Sequence, residues 1–143
     1  MTRAVGAALV AGLLLAACGS VNAATATANW VAQSGFLSSV KTLVGDAQHS
    51  ATALRNTSMA SSSRHTVCEV LFVDTQTANA SLPTPDATST ALLSAAYTDL
   101  GRGASRCYGA TNVAARDGAL LQLSLGLAKL SEATARVASA SLP

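Results

Sequence analysis

Charge is what this sequence has least of. Charged side chains make up 11% of the 143 residues, less than half the ~25% of an ordinary soluble domain. Lys+Arg 9 against Asp+Glu 7 leave a net charge of +2, far too small for a dedicated nucleic-acid binder. Isoleucine is missing altogether and aromatic residues are held to 3%, which removes many of the side chains that favour strands. Alanine, the best helix former, fills about a fifth of the chain instead. No C-x-x-C or H-x-x-x-H spacing occurs, so neither a metal site nor a cofactor is expected. The chain is nonetheless 50% hydrophobic, too apolar for a disordered tail. Its length suits one modest domain and leaves no room for a two-domain enzyme.

Arg3 is the only charged side chain among the first forty residues, and it stands before an apolar run from Ala4 to Ala17. These 14 residues fall short of the ~18–20 that a membrane-spanning helix needs. With a basic start and small residues at the end, they read as a secretory signal. The run closes on Leu15-Ala16-Ala17-Cys18, followed by Gly19-Ser20. This resembles the lipobox of bacterial lipoproteins, the motif cut by signal peptidase II. The resemblance implies that Cys18 becomes the first residue and carries a thioether-linked diacylglycerol, a role suited to the strongest side-chain nucleophile. It also implies a protein held by lipid at the cell membrane, facing the extracytoplasmic side. Val21-Asn22-Ala23 has the small-x-small pattern of ordinary signal-peptidase cleavage as well. The expected layout is a lipoprotein signal peptide over 1–17, a lipidated N-terminus and flexible tether over 18–29, and a helical domain over 30–143. The tether is expected because Ala, Thr, Asn and Ser follow one another there without charge or period.

Three cysteines, Cys18, Cys68 and Cys107, are an odd number for an exported chain. With Cys18 acylated, Cys68 and Cys107 remain to pair in an oxidising compartment. They close a loop of about 40 residues, worth ~4 kcal/mol on the chain-entropy model. From Trp30 onward the apolar spacing is helical. Leu37, Val40, Val44, Ala47, Ala51 and Leu54 alternate three- and four-residue steps along a first helix over 28–60, which Ser61-Ser62-Ser63 ends. Thr66-x-x-Glu69 is a capping box that opens a second helix over 66–81. The run Val67–Val73 is β-branched, but no partner strand exists elsewhere to satisfy its backbone, so helix is the expected state.

Leu82-Pro83-Thr84-Pro85-Asp86 stops that helix and starts a third, with Thr84 as N-cap and Pro85 in the first turn. Leu93, Ala96, Leu100, Gly103 and Cys107 mark its core face. Leu120, Leu123, Leu127, Leu130 and Val137, widened by Leu121 and Leu125, mark a fourth helix over 113–140. The expected fold is all-α, an antiparallel four-helix bundle with one disulfide. Its arithmetic is strained. Cys68 lies about 14 residues before the proline turn and Cys107 about 22 after it, a mismatch of ~12 Å at ~1.5 Å per residue. Bridged Cα atoms must come within ~7 Å. Either residues 86–89 are not fully helical or the chain bends at Gly101–Gly103.

The two cysteines flanking Leu82-Pro83-Thr84-Pro85-Asp86, with Leu92-x-x-Ala95-x-Tyr97-x-x-Leu100 between them, resemble small exported helical proteins and lipoproteins of high-GC bacteria. The resemblance covers about residues 66–110, implies fold and location, and brings no catalytic residue. Other motifs supply none either. Ser38-Ser39-Val40-Lys41 has the S-x-x-K form of penicillin-recognising enzymes but lacks the companion S-D-N and K-T-G elements. Gly101-Arg102-Gly103 lacks the third glycine and the preceding strand of a dinucleotide loop. His49 and His65 have no nucleophile and orienting acid beside them, while Asp46 and His49 suit a surface pair. Trp30 fits either a lipid interface or the end of the bundle core. An enzyme is not expected.

Threading the helices gathers Arg55, Arg64, His65, Arg102, Arg106 and Arg116 at the end far from the anchor, together with Glu69, Asp99 and Asp117. This crown is the candidate contact for an acidic envelope polymer or an acidic protein partner. Helix C-termini also favour Arg55, Arg102 and Arg106 where they stand. The expected role is a lipid-anchored cell-envelope protein that binds or scaffolds. The alternative is a carrier holding a small apolar ligand or lipid in the bundle core, marked by an enclosed apolar cavity of ~300 Å³ or more.

Overall fold

The computed structural model describes residues 22–143, so the expected signal peptide and Cys18 lie outside the described residues. Within them the chain is all-α, but with five helices rather than four. They are α1 (Ala23–Gln33), α2 (Phe36–Arg55), α3 (Ser61–Asn79), α4 (Ala87–Tyr108) and α5 (Val113–Ala140). None of them is long and apolar enough to cross a membrane.

Two corrections fall near the start. Residues 23–29, expected as flexible tether, make up most of α1, which Asn22 caps by accepting from the Thr25 N–H at 2.8 Å. The single helix expected over 28–60 is divided at Ser34-Gly35, where Gly35 has φ +68°. A left-handed residue directly after the C-cap is a common way for a helix to end, and glycine adopts it without a Cβ penalty. The break also resets the phase of the helix that follows. Phe36, Leu43, Ala47, Ser50 and Leu54 face the core, whereas Leu37 is 65% exposed. The expected stripe was one position out at its beginning.

Other helix starts shift too. α3 opens at Ser61, so the three serines form its first turn instead of a break, and Thr66 Oγ1 donates to Ser62 O rather than capping. The stretch 67–73 is helical, as the missing partner strand requires. Asp86, not Thr84, caps α4, accepting from Ser89 N at 2.8 Å and from Ser89 Oγ at 2.6 Å. Thr84 is buried in the preceding turn, its hydroxyl donating to Asp86 O. α5 occupies the expected span.

From α2 onward each helix packs antiparallel on the next, α5 returns to α2, and α1 lies against α2 and α5. The α4–α5 seam is the tightest. On α4 the small Ala96 and Gly103 alternate with Leu93, Leu100 and Cys107; on α5 Ala119, Gly126 and Ala133 alternate with Leu123, Leu130 and Val137. A Cβ on Gly103 would stand 2.6 Å from Leu123 Cδ2, and one on Gly126 would stand 2.8 Å from Leu100 N. Each helix thus seats a leucine on the other's glycine, and the two backbones come closer than ordinary side chains allow. Across the seam, Lys129 Nζ lies 2.5 Å from Asp99 Oδ2 and Arg136 forks onto Asp86.

Of the two places expected to relieve the strain around the cysteines, the glycines do not bend the chain, and of residues 86–89 only Asp86 lies outside the helix. α4 runs unbroken from Ala87 to Tyr108 through both glycines. Instead, the connector from Ala80 to Asp86 is non-helical, and at up to ~3.3 Å per residue it has ample reach to make up the ~12 Å. Cys68 and Cys107 form the disulfide with Cα atoms 5.7 Å apart, and both are fully buried.

Candidate functional site in the groove between helices α3 and α4

α3 packs on α2 and α4 alone, which leaves part of its surface uncovered. Val70, Phe72 and Val73 are exposed there. On the α4 side of this face lies a groove of about 360 Å³. Helical spacing builds its two walls. Phe72, Gln76 and Asn79 follow one another at i, i+4 and i+7 along α3, as Thr98, Arg102 and Ser105 do along α4. Gly101 sets how closely the walls meet, since a Cβ there would come 3.3 Å from Thr75 Oγ1. The Thr75 hydroxyl is held by donating to Phe72 O at 2.6 Å. Past Phe72 and Ser105 the groove runs into a hollow of about 240 Å³ that Glu69 and Tyr108 also line. His65 stacks on Tyr108 there, ring centroids 4.3 Å apart. Both spaces are open, so a ligand held in them keeps one side in water.

The electrostatics leave donors available. Tyr97 lines the groove yet is only 3% exposed, and burial pushes its phenol up to about 12. It therefore remains an O–H donor at neutral pH, and that hydroxyl has no hydrogen-bond partner among the described residues. It is not among the fully buried polar atoms left without a partner, so it meets the water of the groove. Arg102 lies 3.6 Å from Asp99 and its side chain stays 67% exposed. Asp99 already receives Lys129, and Gln122 Nε2 donates to its other oxygen at 3.1 Å. Two cations against one carboxylate leave positive charge at the groove's edge.

The basic residues of the expected crown stand in different surroundings. Arg64 is 5% exposed, and its Nη2 donates to Ala110 O at 3.1 Å, fastening the start of α3 to the α4–α5 turn. Arg102 belongs to the groove. Arg106 lines a separate hollow of about 410 Å³ with Gly109, Ala114, Ala115 and Gly118. Arg116 and His65 are half-buried, and Arg55 is exposed in the last turn of α2. The groove itself went unmarked in the sequence. Its signal was the surplus of apolar residues in Val67–Val73, more than one buried face of a helix can hold.

Two carboxylates respond to pH in opposite directions. Burial raises Asp46 above its ordinary 3.8, Asp74 across the α2–α3 interface raises it further, and His49 works against both. Arg136, and then Ser89, hold Asp86 well below the ordinary carboxylate range. A depressed native pKa gives stability that is present above the unfolded value and lost as pH falls beneath it; a raised one takes stability away as pH climbs. Asp86→Asn is therefore expected to flatten the acid limb of stability below about pH 4, whereas Asp46→Asn is expected to raise the melting temperature near pH 7. Thermal melts of the two variants and the parent protein between about pH 3 and pH 7 would check both signs. An Asn at position 86 can still accept from Ser89, so that comparison isolates the charge.

Among the described residues no cluster of three or more His, Cys, Asp or Glu is suited to a metal ion. Compared with protein-family models, with curated proteins and with solved structures, the chain matches none.

Proposed function

We propose that the protein is a lipid-anchored binding module of the bacterial cell envelope that holds an acidic envelope polymer in the α3–α4 groove. The supporting observation is the groove's chemistry. A sugar unit has apolar faces and hydroxyl-bearing edges, and recognising it takes flat apolar surface beside oriented polar groups. Phe72 and Tyr108 supply half-exposed rings, Gln76, Asn79, Thr98 and Ser105 supply amides and hydroxyls, and the Tyr97 hydroxyl is an unused donor. Arg102 supplies the planar fork that suits a carboxylate or phosphate. The lipobox-like Leu15-Ala16-Ala17-Cys18 supports the location. Binding rather than catalysis is proposed because the groove holds no acid–base pair or activated nucleophile in reach of one another.

The test is retention of the purified protein on acidic cell-wall polymer in a salt series, for the parent protein, Phe72→Ala and Arg102→Gln. Losing a hydrogen bond to a charged group removes about 1.5–3 kcal/mol, so Arg102→Gln should weaken retention about tenfold or more. Phe72→Ala should weaken it at every salt concentration, Arg102→Gln mainly at low salt. If Arg55→Gln or Arg106→Gln abolishes retention while both groove variants bind normally, the groove is not the site.

A further inference from the structure

The end of the molecule formed by α1 carries almost no charge. No ionisable side chain occurs from Asn22 to Val40, from Thr75 to Pro85, or from Val137 to Pro143. Packing brings these three stretches together. α1 lies against α2 and α5, Trp30 Nε1 donates to Ser81 O at 3.4 Å, and the rings of Trp30 and Phe36 stand 5.2 Å apart. Asp86, just before α4, is closed onto Arg136, and Lys41 lies a turn beyond Leu37 along α2. At this end Leu37 and Leu142 are 65% and 68% exposed. The opposite end carries Arg55, Glu69, Arg106, Arg116 and Asp117. So the molecule is polar along its length, with a neutral, partly apolar base and a charged top.

We infer that the neutral end rests on a lipid bilayer, with Leu37 and Leu142 in the interfacial layer and Trp30 at headgroup depth. The inference rests on the lipid-anchor reading and goes beyond it. Helix α1 begins at Ala23, so whatever their conformation the residues from Cys18 to Ala23 span at most ~18 Å. An acylated Cys18 could not let α1 stand farther than that from the membrane surface. A surface confined so close to a bilayer meets it at high effective concentration. Each charged side chain brought to such a surface would cost desolvation, and these three stretches contain none. Exposed leucines gain by burial in the acyl boundary, and tryptophan favours the interface. In this posture the Asn79 end of the groove lies near the membrane and its Tyr108 end points outward.

The protein has a single tryptophan, which makes Trp30 a built-in probe. Full-length protein would be expressed in bacteria and purified from their membranes, its mass measured, and the product reconstituted with phosphatidylcholine vesicles brominated or unbrominated in their acyl chains. Bromine quenches only nearby indoles. The parent protein should float with the vesicles and emit at least about twofold less on brominated ones. Leu37→Glu combined with Leu142→Glu changes two exposed positions; it should float equally and lose the difference. Vesicle-bound parent protein without quenching, or equal quenching in the double variant, would overturn the contact. An unacylated mass overturns the anchor reading alone if quenching persists, and both readings if it does not.

Discussion

Replacing Gly126 by alanine is expected to destabilise the protein by about 1–3 kcal/mol, the cost of overpacking a close-fitted interior. Helix propensity predicts the opposite, because alanine is favoured over glycine by about 1 kcal/mol in a helix interior. The seam decides the sign. The new Cβ would stand 2.8 Å from the backbone nitrogen of Leu100, and a backbone atom cannot swing aside as a side-chain tip can. α4 and α5 would have to separate, which would also unseat Leu123 from Gly103. Gly118, eight residues earlier in the same helix, provides the control, since a Cβ there meets nothing within 4 Å. Gly118→Ala should gain about 0.5–1 kcal/mol. Denaturant unfolding of the two variants, with the disulfide intact, should shift their midpoints in opposite directions.

Removing the cross-link with Cys68→Ala and Cys107→Ala is expected to cost about 4 kcal/mol, the chain entropy restored when a loop of about 40 residues is released. That is a large part of the 5–15 kcal/mol available to a domain of this size. It corresponds to a fall in melting temperature of roughly 15 °C. Alanine leaves the small space of each buried sulfur empty, so the loss includes a modest packing cost beside that of the connection. Parent protein equilibrated with strong reductant should melt alongside the double variant. Because both sulfurs are fully buried, reduction must wait for opening and should be slow below the transition.

The parts of the fold that were legible in the sequence are those where one helix face alternates with a steady period. The α4 stripe Leu93, Ala96, Leu100, Gly103 and Cys107 is buried throughout, and α5 has the expected ends. Even there, large apolar side chains mislead. Leu121 and Leu125 were expected to widen the core face of α5 and are exposed, while Ala119, Gly126 and Ala133 are buried. Small residues carry little hydrophobic signal, yet close helix approach selects them. The division at Gly35 was hidden for a different reason. A glycine inside an otherwise helical pattern is compatible with either continuation or a left-handed stop, and local spacing does not choose between them.

Of the groove, the sequence disclosed Arg102 but assigned it to a crown of arginines. Its other walls depend on the register between α3 and α4. That register follows from the disulfide and from the length of the Ala80–Asp86 connector, neither of which shows in periodicity. Arg64 illustrates the same limit, since charge and position near a helix start indicate a solvent-facing cation. Only the α4–α5 turn, folded against α3, offers it the Ala110 carbonyl.

Cys68 lines the hollow at the Tyr108 end of the groove, so the cross-link forms part of that wall. The spacing of α3 and α4 there is set covalently before any ligand arrives. A recognition surface fixed in advance loses little conformational freedom on binding, and contacts too weak to order a mobile loop can still count. If the groove holds a repetitive polymer as proposed, rigidity at that mouth would sharpen discrimination between neighbouring sugar shapes.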